Sequence, residues 1–155
     1  MKKEIINFLN LANKSTYANK DAPKAPSTKL KSEDYIFESG NYIYHDTYLT
    51  GKKDITFIGS EIIYKDKEQV WGANYFGVIL DKKAKPKEVY SFLREAMMQK
   101  DTSKVPVRGV KLYKKDDWKY TFTTRGDVGM FTGVEKIFYK NKLVYKLDIN
   151  GGLLI

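Results

Sequence analysis

Two glutamates occupy the same place in two copies of one pattern. Phe57-x-Gly59-x-Glu61-x-Ile63-Tyr64 recurs in the second half of the chain as Phe131-x-Gly133-x-Glu135-x-Ile137-Phe138. Alternate residues of a strand share a face, so each glutamate points the same way as a phenylalanine and an isoleucine, toward the expected core. Tyr145, Leu147 and Ile149 alternate with Lys146, Asp148 and Asn150, which faces Tyr145 inward; the offset that carries Glu135 back to Glu61 places Trp71, Ala73 and Tyr75 on the matching face. Trp118, Tyr120 and Phe122 alternate with a lysine and threonines, and a slightly longer offset, from Trp118 to Tyr42, adds Tyr42, Tyr44 and Asp46 to the inner set.

Three inward carboxylates among so many rings are unlike an ordinary core. A buried carboxylate without a partner is costly or takes up a proton. Two readings follow. In the structural one, each carboxylate ties down neighbouring backbone and tyrosine groups, with Arg108 as counter-ion. In the functional one, rings and carboxylates line a pocket for a cationic or amphipathic small molecule, held by cation–π attraction and charge pairing. The candidate ligand-binding residues are Glu61, Glu135, Asp46, Tyr44, Trp71, Tyr75, Tyr120, Tyr145 and Arg108.

No residue is singled out as catalytic. The one histidine, His45, lies between Tyr44 and Asp46, so its parity turns it toward solvent. With no cysteine and a single histidine, neither a metal site nor a cofactor is expected. Phosphate-loop and nucleophile-elbow patterns are missing. A carboxylate pair doing acid/base work is the weakest of the functional readings, because nothing in the sequence fixes the separation of the two groups.

The elements that position these side chains come in two sets. Glu4-x-x-x-Phe8-Leu9-x-x-Ala12 recurs as Glu88-x-x-x-Phe92-Leu93-x-x-Ala96, each with the spacing of an apolar helix face. Three alternating, aromatic and β-branched runs follow each helix: about 35–49, 55–64 and 70–80, then 110–124, 130–139 and 143–154. Lys65-Asp66-Lys67-Glu68 and Lys140-Asn141-Lys142 have the polarity of hairpin turns between the second and third runs. The expected fold is α+β: two pseudo-symmetric αβββ repeats in one domain over residues 1–155, with units at about 1–81 and 82–155, forming a curved antiparallel sheet covered by two helices. The segment 13–34, with Pro23, Pro26 and five lysines, reads as a flexible loop.

The chain has 155 residues and a formal charge of +9. That field attracts polyanions whatever the fold, yet lysine dominates and the arginines are only Arg94, Arg108 and Arg125. Weak, sequence-blind nucleic-acid binding is the expectation, with a small-molecule ligand as the main partner. No apolar run is long enough for a membrane span and no signal peptide is evident, so no membrane partner and a cytoplasmic location are expected.

Beyond the repeat, several blocks are distinctive together: Tyr44-His45-Asp46-Thr47-Tyr48, Phe57-Ile58-Gly59-Ser60-Glu61, Val70-Trp71-Gly72-Ala73-Asn74-Tyr75-Phe76-Gly77, Arg108-Gly109, Phe131-Thr132-Gly133-Val134-Glu135 and Gly151-Gly152-Leu153-Leu154-Ile155. They resemble a bacterial domain-of-unknown-function family found alone or behind an XRE-type helix-turn-helix in transcriptional regulators. The resemblance implies a sensor or effector-binding domain. Because this chain begins at its first predicted helix, with no room for a helix-turn-helix, sequence-specific DNA binding in its own right is not expected. At the level of fold, the duplicated layout is similar to the GyrI-like effector-binding domains, which bind cationic compounds through aromatic and acidic residues. The runner-up function is a basic protein that binds nucleic acid or a regulatory protein partner.

Overall fold

The structure, a computed structural model, describes residues 1–154. Its elements are α1 (Lys2–Ser15), β1 (Glu33–Ser39), β2 (Tyr42–Thr50), a short 3-10 turn (Lys52–Asp54), β3 (Thr56–Lys65), β4 (Glu68–Ile79), α2 (Pro86–Met97), β5 (Leu112–Lys115), β6 (Trp118–Asp127), β7 (Met130–Tyr139) and β8 (Lys142–Leu153). The eight strands form one sheet in the order β1-β2-β3-β4-β8-β7-β6-β5, with every neighbouring pair antiparallel.

This corrects the expected fold class in two respects. Each half supplies four strands, not three, because the first run of each set is itself a hairpin: β1 turns into β2 at Gly40-Asn41, and β5 into β6 at Asp116-Asp117. The protein is also dominated by its sheet rather than by a sheet under helices. Two helices of 14 and 12 residues are about 21 and 18 Å long, whereas eight strands span about 34 Å. Each helix docks a phenylalanine on the outer hairpin of its own half: Phe8 lies 5.7 Å from Phe37 and 5.1 Å from Tyr42, and Phe92 lies 5.5 Å from Tyr113 and 5.4 Å from Trp118 (ring centroids). Irregular chain roofs much of the remaining inner face, burying Ala18, Val105, Val107 and Arg108.

The seam between the halves is set by register. Tyr75 pairs with Ile149, its own counterpart in the repeat, while Trp71 pairs with Leu153 and Ile79 with Tyr145. The same offset maps Trp71 onto Tyr145 and Ile79 onto Leu153, so an approximate two-fold axis passes through the Tyr75–Ile149 pair. Other irregularities obey it. A bulge falls between Ile63 and Tyr64 and again between Ile137 and Phe138. The two-residue turns Asp66-Lys67 and Lys140-Asn141 both have positive φ at both positions, the conformation whose twist matches antiparallel strands.

Between α1 and β1 the chain is tied down locally. Ala25 bridges to Asp34, and Asp34 accepts hydrogen bonds from the Thr28 hydroxyl (2.6 Å) and from the Ser32 hydroxyl. His45 lies on the outer face opposite Ile36 as parity requires, but its Nε2 is 2.6 Å from Asp34 Oδ2, so it is half-buried rather than free in solvent. Burial would raise the Asp34 pKa; the Ser32, Thr28 and His45 contacts outweigh it and hold this carboxyl well below the usual range.

Candidate functional site

All three inward carboxylates are buried: Asp46 is 4% exposed, Glu61 2% and Glu135 0%. They are not equivalent in chemistry. Glu135, on β7, receives a two-pronged contact from Arg108, with Nε to Oε2 at 3.1 Å and an amino nitrogen to Oε1 at 3.0 Å. The Tyr120 hydroxyl donates to Oε2 at 2.6 Å and the Tyr145 hydroxyl to Oε1 at 2.8 Å, while the Gly109 amide donates to Tyr120 at 2.9 Å. Every oxygen is occupied. The anion also acts on its partners: burial and the Glu135 charge push the Tyr120 and Tyr145 hydroxyls far above the usual tyrosine range.

Glu61, on β3, sits at the matching position with a poorer set of neighbours. Tyr44 corresponds to Tyr120, but Trp71 takes the place of Tyr145 and donates its indole N–H to the Val128 carbonyl at 2.9 Å instead. Asp46 replaces Phe122 and lies directly opposite Glu61 across β2 and β3. The second tyrosine donor and the Arg108 fork are both missing here, and one acid is added. Glu61 Oε2 is buried without a hydrogen-bond partner among the described residues. Burial, and then the Asp46 charge, push its carboxyl up to about 8 against the pull of Arg108 and the Tyr44 hydroxyl. Burial likewise pushes Asp46 up to about 6, opposed mainly by the 2.6 Å hydrogen bond from the Tyr75 hydroxyl.

Asp46 is where this acidic pair meets open space. A cavity of about 250 Å³ lies between the sheet, α2 and the segment after α1. Asp46, Phe57, Tyr75 and Arg108 form its buried floor; Tyr17, Tyr48 and Tyr90 wall it; Lys24, Glu33, Asp54, Lys87 and Arg94 ring its mouth. Close approach of backbone shapes the floor, since a side-chain carbon on Gly59 would fall 2.4 Å from the Tyr75 hydroxyl and 2.6 Å from the Thr47 carbonyl oxygen. The rings are fixed by one another: Phe57 is 6.0 Å from Tyr75 and 5.9 Å from Tyr90, and Tyr17 is 5.9 Å from Tyr48.

Of the nine candidate residues, three line the cavity: Asp46, Tyr75 and Arg108. Glu61 and Tyr44 lie behind Asp46, while Glu135, Tyr120 and Tyr145 belong to the Arg108 cluster and Trp71 to the packed core. Sequence reasoning missed Tyr17, Tyr48, Tyr90 and Arg94. Lys87, Tyr90 and Arg94 fall at i, i+3 and i+7 of α2, a helical stripe that could have been read. Tyr17 sits in irregular chain, where no periodicity marks it. Among the described residues, no three histidine, aspartate or glutamate side chains gather as metal ligands.

Residues 46–154 match the model of a domain of unknown function, DUF5680, and the chain belongs to that family. The matched span contains the whole floor of the cavity, whereas Tyr17, Lys24 and Glu33 precede it. No curated protein and no solved structure matches the chain at a significant level. Among the described residues, no helix is long and apolar enough to cross a membrane.

Proposed function

We propose that this protein is a ligand-binding domain whose aromatic cavity takes a cationic or amphipathic small molecule, as an effector or sensor domain of the kind linked to XRE-type regulators would. The observation that carries the reading is the unbalanced charge beneath the cavity. Among the described residues, Arg108 is the one cation buried with the three inward carboxylates, and Glu135 engages it with both oxygens. Asp46 and Glu61 are left to share a site that disfavours two negative charges, so Glu61 keeps a proton near neutral pH and Asp46 is an anion with no cation of its own. A cation seated against Asp46, between Tyr48 and Tyr75, pairs that anion and gains ring contact. The analogy with GyrI-like effector domains rests on aromatic and acidic residues playing these roles.

The test is a thermal-shift and calorimetric screen of small aromatic amines against the parent chain and Asp46→Asn. Stabilisation of the parent by at least one amine, lost in Asp46→Asn, is the expected result; no stabilisation by any amine overturns the reading.

A second reading is supported by one feature of the outer face of the sheet. There Lys119, Arg125, Lys136 and Lys146 gather on β6, β7 and β8, with Lys136 directly opposite Lys146. We propose that this face gives weak, salt-sensitive contact with nucleic acid or an acidic regulatory partner. Fluorescence anisotropy of a labelled oligonucleotide across a salt series checks it, with affinity expected to fall steeply as salt rises.

A further inference from the structure

The cavity's unpaired charges differ between its two ends, since Arg108 on the floor is engaged by Glu135 and Lys24 at the mouth by Glu33, which leaves Asp54 as the one further acid among the lining residues. Its floor holds Asp46, with the under-partnered Glu61 behind it. Its mouth is crossed by the Lys87–Tyr90–Arg94 stripe of α2. Arg94 is held in place there without an acid: its Nε donates to the Tyr17 carbonyl at 3.0 Å, and its guanidinium lies 4.4 Å from the centre of the Tyr17 ring. Among the described residues neither Arg94 nor Lys87 pairs with a carboxylate, although Lys24 pairs with Glu33 nearby. A guanidinium fixed by its Nε still presents its two amino groups, a fork that matches a carboxylate. The duplicated helix has no such stripe. The offset that aligns Phe92 with Phe8 turns Lys87 into Lys3, Tyr90 into Ile6 and Arg94 into Asn10, so Tyr90 and Arg94, though not the lysine, are additions to the repeat and not a requirement of its packing.

We infer that the ligand is a zwitterion, its ammonium group seated against Asp46 at the floor and its carboxylate against Arg94 at the mouth, with an apolar or aromatic body between the tyrosines. This rests on the ligand-binding reading above and narrows it from any cation to a molecule with an acid at the far end. Two fixed charges of opposite sign reward a ligand that meets both and penalise one that buries either unpaired.

The experiment compares four probes on the intact chain by isothermal calorimetry: benzylamine, para-toluate, and two zwitterions of different span, para-aminomethylbenzoate and para-aminomethylphenylacetate. At least one zwitterion should bind about tenfold or more tightly than either singly charged probe. Arg94→Gln should remove that preference, so that zwitterions and benzylamine bind the variant alike, and Asp46→Asn should weaken amine and zwitterion together. Lys87→Gln serves as a second variant if Arg94→Gln lowers the melting temperature, and it should narrow the preference. Equal affinity for benzylamine and both zwitterions overturns the inference and leaves the cation-binding reading standing. Tightest binding by para-toluate, or no binding by any probe, overturns both.

Discussion

Glu61 and Glu135 occupy one position of a duplicated fold and have been given opposite surroundings. Around Glu135 the repeat has a tyrosine at 120, another at 145 and Arg108 from an irregular segment, so the carboxylate is a saturated structural tie. Around Glu61 it has a tryptophan that donates elsewhere and an aspartate in the facing strand. The backbone pairing is the same in both halves, down to the bulge that follows each glutamate. Keeping the frame and changing three neighbours turns a clamp into an acidic pair beside a cavity. A buried acid is therefore judged by its donors, not by its burial.

The strongest way to break this contrast is to remove the clamp's cation. Arg108→Met should destabilise by about 3–5 kcal/mol, because Glu135 is left as an uncompensated buried charge; urea unfolding at neutral pH measures it. A loss below about 1 kcal/mol would mean that the two glutamates are not so different after all.

Glu61→Gln should act through pH. Its carboxyl is raised from 4.5 to about 8, so between those values the native state holds a proton that the unfolded chain has released. The unfolded state then binds fewer protons, and stability falls as pH rises across that window. The stabilisation is fully present below about 4.5 and is lost as pH passes through about 8. Asp46, raised to about 6, adds a smaller fall between about 4 and 6. Asp34 has the opposite sign: its lowered carboxyl stabilises above the unfolded pKa and loses that contribution as pH drops below it. Glutamine at 61 should leave stability nearly unchanged near pH 4.5 and raise it near pH 8 by a margin on the order of 4 kcal/mol, flattening the profile. Chemical unfolding at both pH values checks this, and an unchanged slope would place the proton elsewhere.

Tyr145→Phe comes next in size. It removes one donor from Glu135 and should cost about 1.5–3 kcal/mol, the range for a hydrogen bond to a charged group. Trp71→Phe, at the equivalent position, loses a bond to a neutral carbonyl and part of a ring, so the two melts should differ in their dependence on Arg108: only the Tyr145 change should be non-additive with Arg108→Met.

How far this could be read from the chain depends on the element. Strand parity is strict, so Tyr44, Asp46, Glu61, Trp71, Tyr75, Tyr120, Glu135 and Tyr145 were assignable to the inner face from alternation alone, and all are buried. The hairpin inside each first run was legible too. The inward set switches from odd positions, Tyr35 and Phe37, to even ones, Tyr42 and Tyr44, across Gly40-Asn41, a change of phase that one continuous strand cannot make. Reading 35–49 and 110–124 each as one run left each unit a strand short. Which glutamate keeps Arg108 was not legible, because that choice is made by an irregular segment whose path follows from tertiary packing. The cavity walls divide in the same way: Tyr48 shares the strand parity of Tyr44 and Asp46, and Lys87, Tyr90 and Arg94 share one helical stripe, so both were legible as faces, whereas Tyr17 comes from irregular chain and no periodicity ties it, or the α2 stripe, to Asp46.

The smallest expected effect lies on the outer face, where the halves differ again. Ile62 faces Gly72 across β3 and β4, whereas the equivalent Lys136 faces Lys146 across β7 and β8. Like charges directly opposite one another destabilise a sheet, although Asp148, 3.0 Å from Lys146, relieves part of this opposition. Lys136→Ile, which restores the first half's residue, should therefore stabilise by about 0.2–1 kcal/mol at low salt. Isoleucine is also the better strand former, so the gain has two sources, and ionic strength separates them. Charge opposition between exposed groups is screened as the Debye length shrinks to about 3 Å at roughly 1 M salt, while strand propensity is not. A gain that shrinks with salt assigns the cost to the lysine pair, and so to a face that tolerates instability in order to meet an anion. A gain that persists assigns it to propensity, and the two outer faces then differ in packing rather than in charge.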